Sequence, residues 1–358
     1  MRLFNVDQHI SVVADLKNVW RDFGHTIEDW CLSGHSFVFG RKDDRDKIPE
    51  MADDAWCAVS NEDRWGELAE KYRPVWDQYD GYVVTYPPVF ARLFETYGKP
   101  IIVHIPIRFD YGVHDKPELL DKLITCLRQN NVYLCANNKF DKAYAEAFIG
   151  KEVRHIPSLC RYTGMRYNPT DPRILVQEHV HMAELDRNMF VNKHVALKAG
   201  YQWSEMARFR AIAHFPYQIS TMSILEQYTA QIPLLFPTKD LMLRLWKEKR
   251  VLEHMTHYPL WRTAPGSQRA YAPGWEPSTD PNAYDKEEAV SYWLDKADYY
   301  DAELMPDIMY FDSMQELHEM AAEDMRPAHY AMLATNITRR QLVYREWEQV
   351  FKEIACAS

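Results

Sequence analysis

Glycine is scarce in this chain, with 12 among 358 residues. None lies in the first strand-to-helix turn, "NVDQHIS" (5–11), so neither a G-x-G-x-x-G dinucleotide fingerprint nor a phosphate-cradling P-loop is present there. A nicotinamide or flavin Rossmann enzyme and an NTPase are both disfavoured. G-x-S-x-G is missing, which argues against a serine-hydrolase elbow. No H-E-x-x-H occurs; "HVH" (179–181) and "EHMTH" (253–257) each offer two histidines without a third ligand. The acidic "DDRD" (43–46) and "ADDAW" (52–56) read as a solvated charged loop. The six cysteines (31, 57, 126, 135, 160, 356) form no C-x-x-C and read as free thiols in a reducing compartment.

Positive charge is also in short supply. Forty-two Lys and Arg face 52 Asp and Glu, a net charge of −10, whereas nucleic-acid and anionic-membrane binders need basic stripes. No apolar run approaches the roughly 18 residues of a spanning helix. The opening "MRLFNVDQHISVV" lacks the basic-then-apolar order of an export signal, so the expected location is the cytoplasm. Asn336-Ile-Thr338 forms a glycosylation sequon, but in a helical stretch it carries little weight.

What the chain does have is alternation. "RLFNV" is a short apolar run, and Ile10, Val13, Leu16, Val19, Trp20 and Phe23 form a helical stripe that closes at Gly24. Strands follow in "HTIEDWCLS", "GYVVTYP", "KPIIVHIPI", "VYLCANN" and "EVRHIPSL". Between them come helices in "RWGELAEKYRPVWDQY", which must end or kink near Pro74, "PVFARLFETYG", "KPELLDKLITCLRQNN" and "KFDKAYAEAFIG". Strands separated by helices imply a parallel sheet. "TGMRYNPTDP" (163–172) has linker texture. A second series follows: "RILVQEHV" as strand, "MFVNKHVALKAG" undecided, "WSEMARFR" as helix, "AIAHFPY" as strand, then a helix, "IPLLFP" and a long helix from Thr238. Residues 258–285 read as a long Pro- and Trp-rich loop, "DIMYFDSMQELHEMA" as a last strand and helix, and the C-terminus as a long helix, continuous or broken.

Several stretches resemble the GT-B glycosyltransferases. "RLFNVDQHISVVADLKNVWRDFGHTIEDWCLS" is similar to that family's opening strand, loop, helix and second strand. "YDGYVVTYPPVFARLFETYGKPIIVHIP" and "VYLCANNKFDKAYAEAFIGKEVRHIPSL" resemble later parts of its N-terminal domain. "MARFRAIAHFPYQISTMSILEQYTAQIPLLFP" is similar to the strand, small-residue loop, helix with the donor glutamate, and following strand of its C-terminal domain. Gln231 replaces the usual glycine, and the first acid of the paired-glutamate pattern is missing, with Gln218 or Ser220 in that neighbourhood. The resemblance implies an α/β fold of two Rossmann-like doubly wound domains facing across a cleft. Residues 1–165 would form the acceptor-side domain, 172–325 the donor domain, and 326–358 a helix returning to the N-terminal domain.

It also implies chemistry: transfer of a sugar from a UDP or GDP donor to a hydroxyl of a glycan or other acceptor, with no cofactor or obligatory metal. The N–H groups of Ser220, Thr221, Met222 and Ser223 open a helix and suit an anion, and Glu226 stands where the family's glutamate meets the donor ribose. Ser223-x-x-Glu226 fits a capping box equally well, and Ser220 is an alternative N-cap. Arg187, Lys193 and Lys198 are candidate partners for the diphosphate. The loops after the N-terminal strands offer Asp7, His9, His35 and Asp110 as candidate bases, with Ser33, Ser36 and Arg108 beside them. A loop base and the incomplete glutamate pair favour inversion. Trp261 and Trp275 are candidates to cover a bound sugar. A nucleotide-sugar 2-epimerase of the same fold and a non-catalytic periplasmic-binding-type module remain open as alternatives.

Overall fold

A computed structural model describes residues 1–52, 55–113, 116–177, 184–198, 200–252, 270–280, 283 and 286–357, apart from the Phe37 side chain. The two histidine pairs at 179–181 and 253–257, and Trp261, lie outside the described residues. Two units divide the chain. The first takes Met1–Ser158, Pro259–Asn282 and Val343–Ser358; the second takes Leu159–Tyr258 and Ala283–Leu342. The boundary therefore falls a few residues ahead of the expected linker, and much of the 258–285 segment groups with the first unit.

Six parallel strands form the first sheet: β1 (Arg2–Asp7), β2 (Thr26–Cys31), β3 (Gly81–Val84), β4 (Ile101–Ile105), β5 (Val132–Ala136) and β6 (Arg154–His155), in the order β2-β1-β3-β4-β5-β6. β3 and β4 are buried along their whole length, as expected of strands covered on both faces. Around them run α1 (Ile10–Trp20), α2 (Ala55–Asn61), α3 (Trp65–Trp76), α4 (Pro117–Leu127) and α5 (Lys139–Ile149). α1 buries Ile10, Val13, Leu16, Val19 and Trp20, and Gly24 takes the left-handed conformation that ends this stretch. α5 starts where the Asn138 side chain accepts from the Asp141 N–H at 2.8 Å.

The second sheet has five parallel strands: β7 (Asp171–Val176), β8 (Phe190–Asn192), β9 (Phe209–Ala213), β10 (Leu234–Pro237) and β11 (Met309–Phe311), in the order β11-β10-β9-β7-β8. The helices here are α6 (Lys193–Ala196), α7 (Trp203–Met206), α8 (Met222–Thr229), α9 (Lys239–Lys247), α10 (Glu287–Asp295) and α11 (Met314–Ala322). Finally α12 runs from Arg326 to Ala357 without a break. Its last turns bury Val343, Trp347, Val350 and Ile354 in the first unit, with Trp347 set edge-on to Trp20 at 4.8 Å. Each such side chain contributes roughly 1.5–3 kcal/mol of apolar burial. The return of this helix to the N-terminal unit is thus encoded by one apolar stripe. Among the described residues no helix is long and apolar enough to cross a membrane.

Several elements differ from the sequence expectation. α3 continues through Pro74, which is exposed near the helix end, so its missing N–H costs little. Residues Pro88–Leu93 form a 3₁₀ helix rather than an α-helix. The ambiguous "MFVNKHV" divides into β8 and α6. α9 stops at Lys247, beyond which Lys249 and Leu252 adopt positive φ. α2 and α10 were not anticipated.

Candidate functional site

In an open parallel sheet, ligands collect at the C-terminal strand ends, where neighbouring strands send their connections to opposite sides. The strand order places that point between β7 and β9 in the second unit, and between β1 and β3 in the first.

Val176 of β7 pairs with both Asn192 of β8 and Ala213 of β9. Gln177, Lys193 and His214 therefore stand one residue past the sheet along the same edge. His214 is 1% exposed; its Nε2 lies 2.7 Å from Gln227 Oε1, and its ring stacks on Phe236 at 4.7 Å. Gln227 Nε2 in turn donates to Gln177 Oε1 at 3.5 Å. A buried polar chain thus crosses the switch point beneath the loop that leads into α8.

α8 begins at Met222, with Thr221 as N-cap in extended conformation and no side chain capping its first turn. The Thr221 and Ser223 hydroxyls pair with each other at 3.0 Å. Ser220 is therefore one residue too early to be the cap. Ser223 lies inside the helix, so the Ser223–Glu226 capping box does not form. Glu226 is 7% exposed and accepts a hydrogen bond from the Tyr162 hydroxyl, a third arrangement that neither sequence alternative contained. α8 follows the C-terminal end of β9, so its first turn, with the positive end of the helix dipole, belongs to the strand-end side of the sheet.

Lys193 opens α6 at the C-terminal end of β8, its ammonium 5.2 Å from the Tyr201 ring centroid. Arg187 precedes β8, so it stands at the opposite, N-terminal end of the sheet, exposed to solvent. That placement corrects the expectation that it joins the diphosphate partners. Lys198 is exposed beyond α6.

In the first unit Asp7 ends β1, level with Cys31 of β2. Asn5 pairs with Val83, which puts Asp7 level with Thr85 just past β3. Asp7 is fully buried; its Oδ1 accepts from the His9 N–H at 2.7 Å. Its Oδ2, the Thr85 hydroxyl and His9 Nδ1 are buried without a hydrogen-bond partner. Burial pushes the Asp7 carboxyl up to about 8, and the charge of nearby Asp29 adds to this against the His9 N–H. Burial holds the His9 imidazole below its ordinary value, and His35 adds to this effect. At neutral pH, then, Asp7 is mostly protonated and His9 neutral. His9 as a whole is half-buried, with Nδ1 its enclosed nitrogen.

His35 lies in the exposed loop after β2, its N–H donating to Ser33 Oγ at 3.2 Å. Asp110 is placed otherwise than expected. It accepts from the Tyr144 hydroxyl at 2.8 Å, and the buried Arg108 guanidinium lies over the Tyr144 ring at 4.7 Å. Its carboxylate lies in the packed interior, where its charge favours the Arg108 cation, and not on an exposed loop. Trp275 lies beside Gly150, which follows the C-terminal end of α5, and the adjoining Ala272 N–H donates to Ala147 O at 2.7 Å. α5 starts after the C-terminal end of β5, so Trp275 stands at the far end of this sheet from Asp7 and His9. Among the described residues no group of three His, Cys, Asp or Glu could hold a metal ion. Asp44 of the "DDRD" run is instead paired with Arg41 and Lys47.

Sequence reasoning did not find Tyr162, Thr85 or the His214–Gln227–Gln177 chain. His214 and Gln177 carried one signal: each is the first polar residue after an apolar strand run. Tyr162 carried none, since it sits just ahead of apparent linker sequence.

No protein-family model matches the chain, and no curated protein does either. Similar solved structures include the glycosyltransferase of kitacinnamycin (10% identity, 99% of each chain covered, TM-score 0.46). Another is the calicheamicin glycosyltransferase CalG4 (12% identity, 99% of this chain and 100% of that one, TM-score 0.44). A third is the spinosyn rhamnosyltransferase SpnG, solved with thymidine diphosphate (10% identity, 97% and 100% covered, TM-score 0.42). At this distance no residue role passes from them to this chain, whose α/β architecture stands on its own two parallel sheets of six and five strands.

Proposed function

We propose that the protein is a cytoplasmic, metal-independent glycosyltransferase that moves a sugar from a UDP- or GDP-type donor to a hydroxyl of a glycan or other acceptor, with inversion. The observation that carries the proposal is the start of α8. It is a helix N-terminus without a side-chain cap at a topological switch point, entered through small hydroxylated residues, with a buried carboxylate one turn inside. The donor diphosphate is assigned to the first-turn N–H groups of α8, with Lys193 as the cation along the same edge. Glu226 is assigned to the donor's ribose hydroxyls, its orientation set by Tyr162.

His9 is assigned as the base and Asp7 as the group that fixes its backbone. The acceptor oxygen attacks the anomeric carbon, its proton passes to His9 Nε2, and the bond to the diphosphate breaks. The nucleoside diphosphate leaves as an anion, which the dipole of α8 stabilises. Of the two groups at the end of β1, only the imidazole is ready to take a proton at neutral pH.

Product analysis by NMR with nucleotide-sugar donors and a panel of glycan acceptors tests this. The expected product is a glycoside of inverted anomeric configuration. His9→Gln should lower turnover by roughly 10²–10⁴-fold while donor affinity stays unchanged. Formation of a 2-epimer without an acceptor would replace transfer by epimerisation. Turnover that survives His9→Gln would remove the base from this position.

A further inference from the structure

We propose that Thr85 and His104 are positioning residues for His9: with Asp7 they bind an internal water, and the hydrogen-bonded row so formed fixes the backbone at His9. The inference rests on the assignment of His9 as the base and deepens it.

The register of the first sheet brings the three side chains into line. Asn5 pairs with Val83 and Val84 with Val103, so Asp7 stands level with Thr85, and Thr85 level with His104. Level residues of neighbouring parallel strands project from one face, their backbones about 4.8 Å apart. Asp7 is also level with Cys31, and His104 with Cys135, so a polar row crosses five adjacent strands. All five residues are buried, none more than 1% exposed. The thiols at its two ends are neutral, since burial pushes Cys31 up to about 11 and Cys135 higher still. Burial also holds the His104 imidazole down at about 3, with His155 adding to the effect, so this ring is neutral too.

The middle three carry polar atoms to which no described residue makes a hydrogen bond: Asp7 Oδ2, Thr85 Oγ and both ring nitrogens of His104. Thr85 is near enough to oppose the rise of the Asp7 pKa, yet it completes no hydrogen bond. Native interiors rarely leave such atoms bare, because each would lose its hydration without return. Four of them on three neighbouring strands suit one water, which takes about three polar partners. The protonated Asp7 can donate from Oδ2, a neutral imidazole can accept at one nitrogen, and a hydroxyl can do either. No charge has to enter the row. At one end of the chain of bonds, Asp7 Oδ1 accepts from the His9 N–H at 2.7 Å. At the other, His104 packs against Trp347, with 5.5 Å between ring centroids. A fixed interior residue of β4 is thereby tied to the segment that carries the His9 imidazole.

NMR of the full chain tests this on two signals. In the natural protein at neutral pH, His104 should show the ring nitrogen shifts of a neutral, hydrogen-bonded tautomer. Thr85→Val and His104→Phe keep bulk and remove the polar atoms, and each should move the His9 amide resonance. Thr85→Ser and His104→Gln should return it most of the way. The two apolar variants should also lower kcat by roughly tenfold or more with donor KM unchanged, and the two polar ones should restore it. An imidazole with neither nitrogen hydrogen-bonded, or a His9 amide that stays in place in Thr85→Val, overturns the row. A moved amide with unchanged kcat overturns the positioning role. His9→Gln judges the base assignment separately: turnover that survives it removes that assignment, while the amide shifts, read on the natural histidine, still report the row.

Discussion

A buried carboxyl with one oxygen unpaired is an expensive residue to keep, and Asp7 is such a residue. Its folded-state pKa, raised to about 8, lies above the unfolded value of 3.8. Folding is therefore undisturbed below about pH 4, where both states are protonated. As pH rises through that value the unfolded chain ionises first, and stability falls until the folded carboxyl ionises near 8. The full penalty has an upper bound of about 6 kcal/mol, from 1.36 kcal/mol per unit. Asp7→Asn should thus gain stability over the natural chain progressively between pH 4 and 8, and hold a constant advantage above that. Urea unfolding of both proteins at pH 4, 6, 8 and 9 measures the difference; an advantage that does not change with pH would show that Asp7 is not held in this state. A residue retained at this cost, beside a neutral His9 and a buried Thr85 hydroxyl, fits a place where chemistry and not stability chose the side chain.

At the scale of the element, most strands were legible because parallel strands buried on both faces read as unbroken apolar runs. β3, β4 and β10 are examples. β8 was not, because three residues of strand merge into a four-residue helix with no turn signal between them. Asp7 and His9 could be singled out as candidates because they close or closely follow such a run. The start of α8, separated from β9 by eight residues, was marked instead by its small hydroxylated residues. The His214–Gln227 pair was not, because it joins a strand end to a helix interior 13 residues on, and only the fold closes that distance. Glu226 was located but its partner was not, since Tyr162 lies 64 residues earlier. The loop after β4 is a case where geometry sharpens a weak sequence signal. Gly112 has φ +87°, and an added Cβ would fall 1.9 Å from the buried Trp56 ring. Gly112→Ala must strain the backbone and displace an indole on α2, costing about 2–4 kcal/mol. A melting temperature lower by roughly 5 °C or more is expected in calorimetry; an unchanged value would mean that Trp56 has room to move.

For the molecule as a whole, two doubly wound units carry different chemistry at equivalent places. The switch point of the first holds an acid and a histidine; that of the second holds a helix N-terminus, a lysine and a buried glutamate. Under the proposed assignment that contrast separates a base from an anion site, the division that transfer from a nucleotide sugar needs. The scarcity of glycine acquires a physical meaning here, because the phosphate site is assigned to a serine- and threonine-lined helix start in place of a glycine-rich loop. Thermal unfolding of the intact chain against UDP-, GDP- and dTDP-sugars, repeated with Glu226→Ala, tests this most directly. A ligand at 100 times its Kd adds about 2.7 kcal/mol, which moves the melting temperature by several degrees. The account predicts such a shift with at least one nucleotide sugar and its loss in Glu226→Ala, whose fold is otherwise intact. No shift with any of them, or a shift of the same size in Glu226→Ala, would contradict it.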